Sequence, residues 1–134
     1  MMTAGPSNAY AFIEAEAFDG PSLIIAYAHC IAHGINMTTA VDEQKKAVSS
    51  GYWPLYRYNP ALVAEGKNPL QLDSKAPTIS FEDYAYGENR YRVLKKNNPE
   101  AAAKLMQQAN SWTSRRFELY EKMAAMSFDG SEKK

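Results

Sequence analysis

Along the first half of the chain the spacing of apolar positions changes repeatedly, and each change marks an element. In "SNAYAFIEAEAFDGP", residues 7–21, Ala9, Phe12, Ile13 and Ala17 share one helical face. Ser7 or Asn8 can cap this helix, and Gly20 with Pro21 ends it. Next, "SLIIAYA", residues 22–28, is apolar without alternation. That pattern predicts a strand buried on both faces, as in the parallel sheets of α/β proteins. In "NMTTAVDEQKKAVSSG", Thr38 or Thr39 caps a helix with Asp42 and Glu43 in its first turn, Lys45 and Lys46 later and Gly51 at its end. "YWPLYRY" has strand composition, and Pro54 places it at a sheet edge. Residues 59–79, punctuated by Pro60, Gly66, Pro69 and Pro77, read as a connector across a surface.

The last third is helical. Ser80 and Asp83 form a capping-box pair, and Gly87 can break the helix that follows. Asn98-Pro99-Glu100 starts a second helix. In it, Ala102, Leu105, Ala109, Trp112, Arg116, Leu119, Met123 and Met126 step by three and four. Such a stripe predicts packing against the chain's own core. "DGSEKK" reads as a frayed polar end.

A chain of 134 residues, 46% hydrophobic and 22% charged, is one globular domain. Its net charge of zero gives no general attraction to nucleic acid or to an anionic membrane. Charge is nonetheless segregated. No Lys or Arg precedes Lys45, whereas Glu14, Glu16, Asp19, Asp42 and Glu43 do, so an acidic first third meets a basic remainder. One cysteine argues against a disulfide scaffold and for a reducing compartment. The start "MMTAGPSNAY" has no signal-peptide pattern, and Leu23–Ala28 is too short to span a bilayer. A soluble cytoplasmic protein is the expectation.

Cys30 stands at the end of the apolar run, with His29 before it and His33 three residues on. His29 and His33 have the spacing of metal ligands on one helix face, but they follow a strand pattern and flank Gly34, so polar groups at a strand end is the competing reading. Cys30 is either a small core residue or a share of a site completed elsewhere. Phosphate-cradle glycine motifs, a GxSxG elbow and an HExxH helix are all missing.

The stretches "EAEAFDGPSLIIAYAHCIAHGINM", "GYWPLYRYNP", "EGKNPLQLDSKAPT" and "ENRYRVLK" together resemble the carboxy-terminal part of pyruvate:ferredoxin (flavodoxin) oxidoreductase, from about Ala9 to about Ala125. The resemblance implies an α/β fold class: a helix-rich part of a wound thiamine-diphosphate-binding domain, with few strands and a helical carboxy-terminal third. It implies a large, usually dimeric parent that uses thiamine diphosphate, magnesium and [4Fe–4S] clusters. Such a parent converts pyruvate and coenzyme A to acetyl-CoA and carbon dioxide and passes electrons to ferredoxin or flavodoxin. It implies Cys30 as the fourth thiolate of a cluster whose other three ligands lie outside this chain, with His29 and His33 as neighbours that tune it.

The chain departs from that family in having no CxxC and no GDG-to-Asn segment for magnesium and the diphosphate. No catalytic residue is expected in it, and by itself it should be inactive and bind none of these cofactors. Its partners are then the remaining domains of the parent. The division expected is a lead over 1–8, an α/β part with the buried strand over 9–58, the connector over 59–79, the helical part over 80–127 and the tail over 128–134. A truncated product, an expressed piece and one part of a split enzyme all fit. The rival readings are a stand-alone interaction module and a small metal protein using His29, Cys30 and His33.

Overall fold

The computed structural model describes residues 7–128. The expected lead over 1–8 and the frayed tail fall largely outside that part, as do the side chains of the proposed caps Ser7 and Asn8. In chain order the elements are α1 (Ser7–Ala17), α2 (Ala40–Ser49), β1 (Tyr56–Tyr58), β2 (Leu70–Leu72), α3 (Phe81–Ala85), α4 (Asn89–Asn97) and α5 (Pro99–Ala124), with short 3₁₀ turns between several of them. This is a helix-rich α/β arrangement with few strands and a helical carboxy-terminal third.

Most helix boundaries follow their local signals. The Ser80 hydroxyl accepts from the Asp83 N–H, and the Asp83 carboxylate accepts from the Ser80 N–H, a complete capping box. Asn98 accepts from the Ala101 N–H at the start of α5, with Pro99 in its first turn. Thr39 stands at the start of α2 but makes no side-chain cap bond; Asn36 instead caps a 3₁₀ turn over Met37–Thr39 that runs into the helix. Gly87 separates α3 from α4, and the cause is crowding as well as helix propensity. A Cβ there would lie 2.1 Å from Glu43 Oε1.

The core gathers Ala47 of α2, Phe81, Tyr84 and Ala85 of α3, and Met106 of α5, with Tyr27, Tyr52 and Trp53 packed against it. A buried aromatic such as Phe81 contributes roughly 1.5–3 kcal/mol by leaving water. Tyr52 stacks on Tyr84 at 4.9 Å between ring centres.

Three expectations are corrected. Residues 22–28 form no strand: the segment has no ladder partner, and Leu23, Ile24 and Ile25 are 84%, 41% and 67% exposed. A strand needs neighbours for its backbone, and the described residues supply none beside it. Their one sheet is antiparallel and two-stranded, pairing Tyr56 with Leu72 and Tyr58 with Leu70. Its first strand lies at an edge after Pro54, as expected. Its second arises inside the supposed connector, because Asn68 turns the chain with its side chain accepting from the Leu70 N–H.

The third correction concerns α5. Its buried face is Ala102, Met106, Thr113 and Phe117, whereas Leu105, Trp112, Leu119 and Met126 of the expected stripe are exposed. The helix carries two apolar faces, and the described residues cover only one. Arg116, which interrupts the stripe, donates to the Tyr52 carbonyl and lies over the Trp112 ring at 4.4 Å.

Candidate functional site

Cys30 has extended backbone and caps a 3₁₀ turn, Ile31–His33, that closes on Gly34. Its Sγ accepts from the Ala32 N–H at 3.4 Å, and its side chain is exposed. Gly34 has φ +69°, and a Cβ there would approach the Asn89 Cβ to 2.5 Å, so both backbone and space require glycine. The close approach brings the Asn89 N–H to the Gly34 carbonyl at 3.3 Å, seating the turn on the start of α4.

Anchors flank the thiol on both sides. Before it, Tyr27 packs its ring against Trp53 at 5.2 Å and Tyr52 at 6.2 Å, while Gln44 donates to the Tyr27 carbonyl. The Tyr27 hydroxyl meets the Tyr84 hydroxyl at 2.5 Å, and Tyr84 donates to Glu88 Oε1 at 3.1 Å. After it, His33 Nδ1 lies 3.5 Å from the same Glu88 oxygen, a close approach without hydrogen-bond geometry. Arg90 donates to Glu88 Oε2.

Glu88 is therefore a buried carboxylate shared by α3, α4 and both sides of the Cys30 turn. Burial, its bond to Tyr27 and the nearby Glu88 charge hold the Tyr84 hydroxyl well above the usual phenol range. Burial likewise raises Tyr27, partly offset by its bond to Tyr84. Both hydroxyls stay protonated as donors, which is the state this relay requires.

Of the residues singled out in the sequence, His29, Cys30 and His33 share one turn, but they do not gather into a metal-holding set. Among the described residues no group of three His, Cys, Asp or Glu side chains could hold a metal ion. His29 Nδ1 is buried without a hydrogen-bond partner. A single exposed thiol that accepts an N–H suits one corner of an iron–sulfur cluster, since such bonds to sulfur are a normal feature of cluster ligation. For thiamine diphosphate and magnesium the described residues do not fit, as they offer neither a glycine cradle nor a cation site.

Sequence reasoning missed Glu88, Tyr84 and Tyr27. Glu88 was visible only as the first residue of "ENRYRVLK", where an acid before a helix reads as a favourable charge at its amino end. Glu43, in the first turn of α2, is also buried, with Oε2 3.4 Å from Lys46 Nζ.

No family model matches the chain. Curated proteins do. Over 115 residues, 86% of this chain, it is 57% identical to the pyruvate-flavodoxin oxidoreductase of Nostoc sp.. Over 114 residues, 85% of the chain, it is 60% identical to the pyruvate:ferredoxin oxidoreductase of Moorella thermoacetica. It covers 10% of each of those relatives. A mitochondrial NADP(+)-linked pyruvate dehydrogenase of Euglena gracilis is 50% identical over 115 residues, 84% of this chain and 6% of that protein. A match of 115 residues within 134 takes in positions 20–115 wherever it begins, and so includes Cys30 and Glu88. The chain spans about a tenth of the length of the curated oxidoreductases it matches, and it is homologous to that one segment of the pyruvate-flavodoxin and pyruvate:ferredoxin oxidoreductases.

Proposed function

We propose that this chain works as one segment of a cytoplasmic, homodimeric pyruvate:ferredoxin or pyruvate:flavodoxin oxidoreductase, in which Cys30 is the fourth thiolate of a [4Fe–4S] cluster. The observation that carries the reading is an exposed thiol on a turn anchored from both sides, inside a segment 57% identical to a pyruvate-flavodoxin oxidoreductase. The remaining ligands, thiamine diphosphate and magnesium belong to the rest of that enzyme, which turns pyruvate and coenzyme A into acetyl-CoA and carbon dioxide. The cluster supplies one-electron transfer toward ferredoxin or flavodoxin when it is bound.

This chain's own residues then do three things. Cys30 Sγ provides a ligand position, the Ala32 N–H donates to that sulfur, and Glu88 holds the amino side of the turn through Tyr84 and Tyr27. Alone, the chain is inactive on this reading.

The test is Cys30→Ala in a full-length oxidoreductase carrying this segment. Iron content and the cluster's visible absorbance should fall, and acceptor reduction should collapse. An exposed Cys-to-Ala change by itself costs no more than about 0.5 kcal/mol, so a folding defect would not imitate this result. Unchanged iron with normal acceptor reduction would return Cys30 to an ordinary surface residue.

A further inference from the structure

We infer that Glu88, Tyr84 and Tyr27 form a positioning relay for electron transfer: they fix the chain ahead of Cys30, keep the Ala32 N–H aimed at its sulfur, and so help set the reduction potential of the cluster. This rests on the reading of Cys30 as a cluster ligand. The turn that carries the thiol cannot hold itself. Ile31–His33 is three residues long, none of them is buried, and Ile31 is 73% exposed. A helical turn that short has little stability of its own. The bond from the Ala32 N–H to Cys30 Sγ, at 3.4 Å, spans two residues and needs the extended Cys30 backbone, φ −134° and ψ 140°. That backbone angle is held from the ends of the turn.

Glu88 is placed unusually for an acid at the start of a helix. It stands at the N-cap of α4, yet its side chain makes no cap bond and turns inward, leaving the residue 1% exposed. Burying a carboxylate is costly unless its oxygens are bonded, and such groups fix position more than they add stability. Here Oε1 accepts from the Tyr84 hydroxyl at 3.1 Å, and that hydroxyl meets the Tyr27 hydroxyl at 2.5 Å. The Tyr27 ring rests on Tyr52 and Trp53, and its hydroxyl bond selects one place for it there, three residues ahead of Cys30. The far end of the turn is held separately, by the Asn89 N–H on the Gly34 carbonyl. Hydrogen bonds to a cluster's sulfurs favour its reduced, more negative state. Loosening the amino end of the turn should therefore lower the potential.

The experiment uses a Moorella-type pyruvate:ferredoxin oxidoreductase in which this chain replaces the segment it matches. Redox titration followed by electron paramagnetic resonance reads the cluster whose signal disappears in the Cys30→Ala chimera. Tyr27→Phe keeps the ring and every charge and removes only the last link of the relay. With iron content unchanged, it should move that cluster's reduction equilibrium about three- to tenfold toward the oxidised form. Glu88→Gln keeps an oxygen for Tyr84 and removes a negative charge, so its potential should equal or exceed that of the unmutated chimera. A shift below about twofold in Tyr27→Phe would confine these residues to core stability and overturn the inference. A fall in Glu88→Gln as large as that in Tyr27→Phe would overturn it as well. The two readings fail separately: a signal lost in Cys30→Ala beside an unmoved Tyr27→Phe potential sinks the relay alone. Cluster signals that all survive Cys30→Ala sink the ligand role and the relay with it.

Discussion

Tyr27 and His33 lie on either side of Cys30 in the chain and lead to one buried oxygen, Glu88 Oε1, the first through the Tyr84 hydroxyl and the second directly at 3.5 Å. A thiol on a free loop samples many positions. This one hangs between Tyr27, bonded through Tyr84 to Glu88, and Gly34, whose carbonyl accepts from the Asn89 N–H, so its place is set by the core and not by the loop.

Glu88→Ala should therefore destabilise the chain by about 2–3 kcal/mol, because the buried Tyr84 hydroxyl and Arg90 both lose their acceptor. Glu88→Gln keeps an oxygen for Tyr84 and should cost about half as much. Urea unfolding of the three proteins checks both values. A loss below about 0.5 kcal/mol for the alanine variant would show that the relay contributes nothing to stability.

Gly87→Ala pushes a methyl group against the Glu43 carboxylate and should cost about 1–3 kcal/mol. The two positions should be coupled. In a Glu43→Ala background the same change should be nearly free, and a double-mutant cycle by thermal melting reads the difference.

Burial raises the pKa of Glu43 above its ordinary value of 4.5, against the opposing pull of Lys46. The folded chain thus holds this proton at a pH where the unfolded chain has released it. Stability should fall as pH rises from about 4.5 through the raised folded value, with the contribution fully present below that window. Glu43→Gln should flatten this part of the stability curve. An unchanged slope between wild type and variant would assign the pH dependence to other groups.

Leu105, Trp112 and Leu119 repeat at heptad spacing on the uncovered face of α5, and exposed Met126 follows just past its end. The isolated chain should bind a dye specific for exposed apolar surface. Leu105→Lys with Leu119→Lys should abolish most of that signal while moving the melting midpoint little, since neither residue is buried. Full dye binding by the double variant would place the responsive surface elsewhere, with the 22–28 segment as the next candidate.

Calorimetric titration of the isolated chain with thiamine diphosphate and magnesium should be flat, because a diphosphate needs a cation and donors that the described residues do not assemble. Micromolar binding would overturn the assignment of that cofactor to the rest of the enzyme.

Features whose cause is local were legible from the residues alone. The Ser80–Asp83 box, the Asn98-Pro99 start and the break at Gly87 depend on side chains within a turn of one another, and all three are present. Features that depend on what lies opposite were not. Composition marks Trp112 and Phe117 alike as apolar, yet among the described residues Phe117 is buried and Trp112 stays exposed. For the same reason "SLIIAYA" reads as a buried strand and lies open here: its pattern specifies covered faces and does not specify what covers them. Glu88 was illegible because its three companions, Tyr84, Arg90 and His33, come together only once α3, α4 and the Cys30 turn have packed.

Arg57 on β1 donates to Glu14 of α1 and, at 2.9 Å, to Asp73 after β2. No α1 residue with a described side chain is buried, and no cation precedes Lys45. The first helix is thus fastened to the sheet by one guanidinium more than by packing. Ionic strength becomes its latch: salt that leaves the aromatic core intact weakens the Glu14 contact. Cleavage by a protease near Phe18–Pro21 would then report salt concentration while the melting of α2 to α5 stays level.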